Sequence, residues 1–97
     1  MKKTFKITDP KIARPRRVEA IKYEVRKYLQ RERRKPLPPG VDFWDFTCRF
    51  GDDEASSEEI HVADINKAIS QAEEEQRESF YLEILAKPGI RSKSGPA

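Results

Sequence analysis

The sequence predicts an α+β fold: a βαββαβ ferredoxin-like two-layer sandwich with an antiparallel sheet and two helices on one face. Residues 43–50 and 80–86 alternate apolar and polar side chains, as half-buried strands do. Residues 15–34 and 65–72 carry apolar residues at helical spacing. The 97 residues suffice for a single domain with a modest core. We place that domain at residues 1–90 and expect residues 91–97 to form a flexible basic tail.

The first third of the chain predicts a strand and a long helix. Residues 2–7 alternate, which places Phe5 and Ile7 on one face. Pro15 suits the first turn of a helix, where its missing N–H would have no partner in any case. The helix then continues to about Arg34 along one apolar stripe, formed by Val18, Ile21, Val25, Tyr28 and Leu29.

The rest of the chain predicts three strands and a second helix. Three prolines within 35–40 predict an extended connector. Residues 59–63 fit a third strand, although Ser56 and Glu59 also fit the capping box of a helix. Asp64 is the expected N-cap of the second helix. The predicted core of the sheet comprises Phe5, Ile7, Trp44, Phe46, Cys48, Phe50, Ile60, Val62, Phe80, Leu82 and Ile84.

Charge is sorted along the chain. Residues 1–35 hold 14 Lys/Arg against 4 Asp/Glu, whereas residues 51–78 hold 2 against 10. Such asymmetry bears on partners and association rather than on fold. It favours a protein that binds a polyanion or associates with itself.

The first helix is the candidate binding surface. Like charges at i and i+4, such as Lys27 and Arg31, are mildly destabilising in a helix, so their presence suggests a partner. On a helical wheel Tyr23 lies opposite the apolar stripe among cations, which suits phosphate contact combined with base stacking. The candidate nucleic-acid-binding residues are Arg16, Lys22, Tyr23, Arg26, Lys27, Arg31, Arg33, Arg34 and Lys35.

Two simpler interpretations of this charge stay open. Lys and Arg are good helix formers, and a charged face can simply be solvated. Alternatively the basic helix is neutralised, either within the molecule or between molecules, by Glu73, Glu74, Glu75 and Glu78.

Other chemistry has weaker support. His61 is the single histidine and could serve as a general base, but a surface position is the more common role. Cys48 is the single cysteine, so we expect no disulfide within the chain and no thiolate cluster for a metal. It alternates with core residues, which favours a small core residue over a nucleophile, and we expect no cofactor and disfavour an enzyme. RNA-recognition modules of this topology stack bases on the two central strands. Here Phe43 and Tyr81 are expected on outer strands, so we expect no aromatic platform.

No 18-residue apolar run exists, so we expect a cytoplasmic protein with no membrane contact.

Three sequence blocks carry a family resemblance: residues 26–35, 41–46 and 78–89. With the opening Met-Lys-Lys-Thr-Phe, they resemble a family of short uncharacterised bacterial proteins, a domain of unknown function. The resemblance implies a stand-alone bacterial domain and supplies no activity or site residue.

These observations predict a small non-enzymatic domain that binds the backbone of RNA or single-stranded DNA through its basic helix. The alternative is a protein-interaction module or a homo-oligomer that pairs basic and acidic surfaces.

Overall fold

The computed structural model describes residues 1–91. The predicted residues 92–97 of the tail lie outside the described part of the chain. Four strands, two helices and a 3₁₀ turn follow one another as β1 Lys2–Lys6, α1 Arg14–Arg33, β2 Phe43–Gly51, β3 Glu58–Ile60, the 3₁₀ turn Val62–Asp64, α2 Ile65–Glu74 and β4 Ser79–Gly89. The α+β class and the antiparallel four-stranded sheet are therefore confirmed.

The order of the strands in the sheet is β1-β4-β2-β3, and all neighbours are antiparallel. The prediction of a ferredoxin-like arrangement was therefore wrong. β2 and β4 are the two longest strands, with 9 and 11 residues, and they pair along the whole length of β2. β1 has three lysines among its 5 residues, and β3 has only 3 residues. Short and lysine-rich strands are typical of sheet edges, because they discourage pairing with another chain.

The core lies between the helices and one face of the sheet. Fully buried residues of α1 and α2 join those of the strands in a single cluster. Phe80 is at its centre, since its ring stacks on Phe5 at 5.4 Å and on Phe50 at 5.0 Å between ring centroids. Of the predicted sheet core, seven residues are buried, and Trp44, Phe50, Ile60 and Val62 are half-buried against it.

The third strand is shorter than predicted. β3 ends at Ile60, and the Nδ1 of His61 accepts the backbone N–H of Ala63 at 3.1 Å, which caps the 3₁₀ turn. Within this turn, the backbone N–H of Asp64 bonds to the His61 carbonyl at 2.9 Å. The turn runs directly into α2, and the Asp64 side chain makes no capping hydrogen bond to the helix. Ser56 does not start a helix. Its N–H bonds instead to the Asp53 carboxylate at 2.8 Å and closes a turn.

The proline-rich connector reaches β2 through a tight turn. The N–H of Val41 bonds to the Pro38 carbonyl at 3.1 Å, and Gly40 has φ +83°. This geometry needs glycine at the third turn position and favours proline at the second, where Pro39 lies. The Nε1 of Trp44 then donates to the Lys35 carbonyl at 2.9 Å and ties the connector to β2.

β4 extends further than predicted. Residues 87–89, beyond the end of the expected strand, pair with residues 43–45 of β2. The N–H of Arg91 also donates to the Asp42 carboxylate at 2.8 Å, which holds the chain in place at the first residue of the predicted tail.

Candidate nucleic-acid interface

α1 packs its apolar stripe against the sheet and leaves the opposite face in solvent. Val18, Ile21 and Val25 are buried, whereas Tyr23 remains 53% exposed. Pro15 lies in the first turn, as predicted, and no side chain caps the N-terminus. The helix is therefore held mainly by tertiary packing of one stripe, which is usual for helices in proteins.

Six cations of α1 and its C-terminal end are exposed. One of them, Arg33, lies toward the sheet, with its guanidinium carbon 5.3 Å from the centre of the Phe46 ring. In residues 1–91, none of the six forms an ion pair with a carboxylate. They are Arg16, Arg26, Lys27, Arg31, Arg33 and Arg34. We call this set the basic surface.

Two further predicted residues have partners inside the molecule. The Nζ of Lys22 donates to Ser70 Oγ in α2 at 2.6 Å, so this lysine helps to join the two helices. Lys35 pairs at 3.0 Å with Glu32, a carboxylate that is nearly buried. Because an unpaired buried charge is costly, Lys35 serves first to neutralise Glu32. We therefore leave Lys22 and Lys35 out of the basic surface.

Tyr23 lies within the basic surface. The guanidinium carbon of Arg26 lies 5.5 Å from the centre of the Tyr23 ring, and the Nζ of Lys27 lies 5.7 Å from it. Distances within about 6 Å allow cation–π attraction, which helps to hold cations close together. The structure thus brings together three of the predicted residues, an exposed aromatic ring and two cations.

A groove runs between α1 and the edge of the sheet at β1. Its volume is about 530 Å³. Tyr28 forms one wall, and the guanidinium carbon of Arg31 lies 5.5 Å from the Tyr28 ring centre. Burial, and then the charge of Glu32, raise the pKa of Tyr28, so its hydroxyl remains protonated. The groove is lined by Met1, Lys3, Tyr23, Glu24, Lys27, Tyr28 and Arg31, and we call it the tyrosine groove.

The sequence did not identify Tyr28 as a site residue, because its helical position belongs to the apolar stripe. Two spacings could have indicated the groove. Tyr23 and Lys27 are at i and i+4, and Tyr28 and Arg31 are at i and i+3, so each aromatic ring lies next to a cation on the helix surface.

The acidic helix end does not neutralise the basic surface. Glu75 is engaged locally, because Gln71 and Arg77 donate to its carboxylate at 3.1 and 2.8 Å and lower its pKa. Arg14 reaches only the backbone carbonyl of Glu73, at 3.3 Å. In the described part of the chain, no carboxylate of residues 73–78 pairs with a cation of α1.

Residues 52–57, which we call the acidic turn, pack over one end of the sheet face that lies away from the helices. Arg49 of β2 donates to both the Oγ of Ser57, at 3.0 Å, and the Ser57 carbonyl, and Glu54 lies 4.0 Å from Lys2. Beneath the turn, Tyr81 is only 5% exposed and Glu83 only 8% exposed. The Tyr81 hydroxyl donates to the Glu83 carboxylate at 2.8 Å. Burial, this hydrogen bond and nearby negative charge raise the pKa of Tyr81 to about 12.

The sheet provides no platform for base stacking, but the reason differs from the predicted one. The prediction that Phe43 and Tyr81 lie on outer strands was wrong, because β2 and β4 are the central strands. Tyr81 is nonetheless buried, and the Phe43 ring packs where a Cβ on Gly89 would lie. The sheet therefore offers no pair of exposed aromatic rings on its central strands.

The two residues considered for catalysis are accounted for structurally. His61 lies just outside β3, because it caps the 3₁₀ turn. Cys48 is fully buried, and burial raises its pKa to about 11, so the thiol remains protonated. Among residues 1–91, no three His, Cys, Asp or Glu side chains are grouped so that they could hold a metal ion.

Within the described residues 1–91, no helix combines the length and the apolar composition needed to cross a membrane.

The fold and its surface define a small α+β domain in which one strongly basic helix covers an antiparallel sheet. The chain belongs to DUF6172, a family of unknown function, whose model matches residues 1–95. This confirms the resemblance to a domain of unknown function. Comparisons with curated proteins and with solved structures give no significant match.

Proposed function

We propose that this domain binds nucleic acid, as RNA or single-stranded DNA, through contacts between the basic surface of α1 and backbone phosphates. The observation that carries the proposal is that six exposed cations on and just after one helix have no carboxylate partner in residues 1–91. Phosphates would supply the missing negative charge and release condensed counterions.

The energetics of α1 support a polyanionic partner. Lys27 and Arg31 are like charges at i and i+4, an arrangement that costs a few tenths of a kcal/mol in an isolated helix, on the order of 0.2–0.5. The chain can form exposed pairs on this helix, since Lys3 binds Glu24 at 2.8 Å. The repulsion between Lys27 and Arg31 therefore remains although Glu24 lines the same groove, and a bound phosphate backbone would relieve it.

The salt dependence of binding tests the proposal. Fluorescence anisotropy of labelled RNA, single-stranded DNA and duplex DNA is measured between about 50 and 200 mM salt. If five of the six cations contact phosphates, the slope of log K against log salt is about −3.5 for a single strand and about −4.5 for duplex DNA. A slope near zero, or no binding at the lowest salt, refutes the proposal.

A matched pair of variants assigns the binding to α1. Lys27→Glu reverses a charge on the basic surface, and Lys67→Glu makes the same change at an exposed position of α2. We expect Lys27→Glu to weaken binding at every salt concentration and to make the slope shallower by about 0.7–0.9 for each phosphate that the variant no longer neutralises. Lys67→Glu should have a much smaller effect on the slope. Equal effects of the two variants would show that net charge alone drives binding.

A second candidate function is association between copies of the chain, or with a protein partner, through basic and acidic surfaces. The observation that favours it is that the acidic residues 73–78 leave the basic surface unpaired within the described molecule. Light scattering distinguishes this function, because a charge-paired oligomer should dissociate toward monomer as salt is raised.

We also propose a bacterial and cytoplasmic setting, in which Cys48 stays reduced.

A further inference from the structure

We infer that the tyrosine groove holds one unpaired base of the bound strand, so that the ligand is single-stranded nucleic acid rather than duplex. The inference rests on the proposed function and extends it from backbone contact to base contact. Its basis is the juxtaposition of two tyrosine rings with two cations beside a groove of about 530 Å³.

The two rings form walls of the groove and do not stack on each other. Tyr23 and Tyr28 are five residues apart, so they differ by about 140° around α1 and by about 7.5 Å along its axis. Tyr23 lies on the outermost face of the helix, whereas Tyr28 is half-buried toward β1. The space between them lies within the range of about 300–1,000 Å³ that is typical of small-ligand sites.

The charges around the groove separate a base site from a phosphate site. Lys27 and Arg31 are free of carboxylates in residues 1–91 and flank the rings of Tyr23 and Tyr28. On the β1 side, Lys3 is neutralised by Glu24 at 2.8 Å. The N-terminal ammonium of Met1 is engaged there as well, because it donates to the Ile84 carbonyl at 2.7 Å and to the Tyr28 hydroxyl at 3.3 Å. A phosphate is therefore favoured at Lys27 and Arg31, while the rings offer a flat apolar surface to the attached base.

This arrangement selects for an unpaired base. A base can stack on a tyrosine or beside a guanidinium only when it is free of its own helix, as in single strands and loops. Duplex DNA could contact the basic surface through its phosphates alone. We therefore expect single strands to gain affinity from the groove and duplexes to gain none.

The test compares a labelled single-stranded DNA octamer with an octamer of the same phosphate backbone that lacks all bases, at one salt concentration. For the native chain we expect the normal octamer to bind at least about 5-fold more tightly, since loss of one stacked base weakens binding by about that factor or more. Tyr23→Leu and Tyr28→Leu keep apolar bulk and remove the aromatic ring. Each should bring the ratio of the two affinities toward 1 without changing the slope of binding against salt.

The outcomes separate this inference from the proposed function. If both octamers bind equally and with a steep salt slope, the groove holds no base and phosphate binding stands. If the ratio survives both tyrosine variants, stacking occurs elsewhere and the inference is overturned. If neither octamer binds, the proposed function fails together with the inference. Thermal unfolding checks that each variant is folded, and should Tyr28→Leu not fold, the exposed Tyr23→Leu decides alone.

Discussion

Gly51→Ala tests the packing of the acidic turn onto the sheet. Gly51 is the last residue of β2 and pairs with Tyr81 of β4. A Cβ at this position would lie 2.7 Å from the Cα of Ser57, 3.0 Å from its nitrogen and 3.1 Å from the Ser56 carbonyl. All three are backbone atoms, so no flexible side chain can move aside, and the turn itself must shift.

The expected cost follows from this crowding. Forcing an extra methyl group into a packed site typically costs about 1–3 kcal/mol. For a domain of this size, that loss lowers the midpoint of thermal unfolding by roughly 4–8 °C for each kcal/mol. The shift would also loosen the hydrogen bonds from Arg49 to Ser57 and admit water to Tyr81.

Two measurements on the same variant check the reasoning. Urea unfolding, followed by the fluorescence of the single tryptophan, gives the loss of stability. Alkaline titration of tyrosine absorbance should show the pKa of Tyr81 falling from about 12 toward its ordinary value of 10.0, because burial is the main cause that raises it.

Gly40→Ala is the matched control. Position 40 has φ +83° and nothing within 4 Å of an added Cβ, so this variant is strained only by its backbone angle. It should lose stability while leaving the titration of Tyr81 unchanged. If Gly51→Ala is as stable as the native chain and Tyr81 still titrates near 12, the acidic turn does not pack as described.

Three further predictions concern Cys48, Tyr81 and Trp44. The thiol of Cys48 is fully buried with its pKa raised to about 11, so iodoacetamide should modify the native chain at pH 8 far more slowly than the urea-unfolded chain; equal rates would contradict this burial. The pKa of Tyr81 is raised from 10.0 to about 12, so its contribution to stability is present below pH 10 and is lost as pH rises toward 12. Unfolding free energies measured by urea at pH 9 and pH 11 should therefore differ less in Tyr81→Phe than in the native chain, and an unchanged difference would refute this. Trp44→Phe removes the hydrogen bond to the Lys35 carbonyl and should cost about 0.5–1.5 kcal/mol, measured by urea unfolding with circular dichroism, whereas an unaltered midpoint would show that the bond is not formed.

The long elements could be predicted from the sequence because their periodicity is strong. Alternation over 43–50 and the helical stripe from Val18 to Leu29 identify β2 and α1 almost to their ends. The order of the strands could not be predicted in the same way, because alternation reports which face a residue occupies and not which strand lies beside it. Strand length and edge lysines were the available signal, and they favour β1 and β3 as edges.

For the candidate site as well, features set by local sequence could be predicted, whereas features set by long-range contacts could not. The exposed face of α1 follows from helical geometry, so Tyr23 and its neighbouring cations could be predicted. The partner of Lys22 could not, since Ser70 is 48 residues away in the sequence. The position of Tyr28 beside the tyrosine groove depends on where β1 meets α1, which is again a long-range relation.

The two layers of the domain therefore differ in what they can bind. The outer side of the sheet carries charges of both signs, because Arg49 donates to Ser57 there and Glu54 lies 4.0 Å from Lys2. The helical layer carries the basic surface and the tyrosine groove, and the acidic residues 73–78 do not pair with it. A polyanion approaching this domain would thus be drawn to the basic surface of α1. The sorting of charge along the chain becomes, in the folded domain, a basic helix α1 and an acidic end of α2 within the same helical layer.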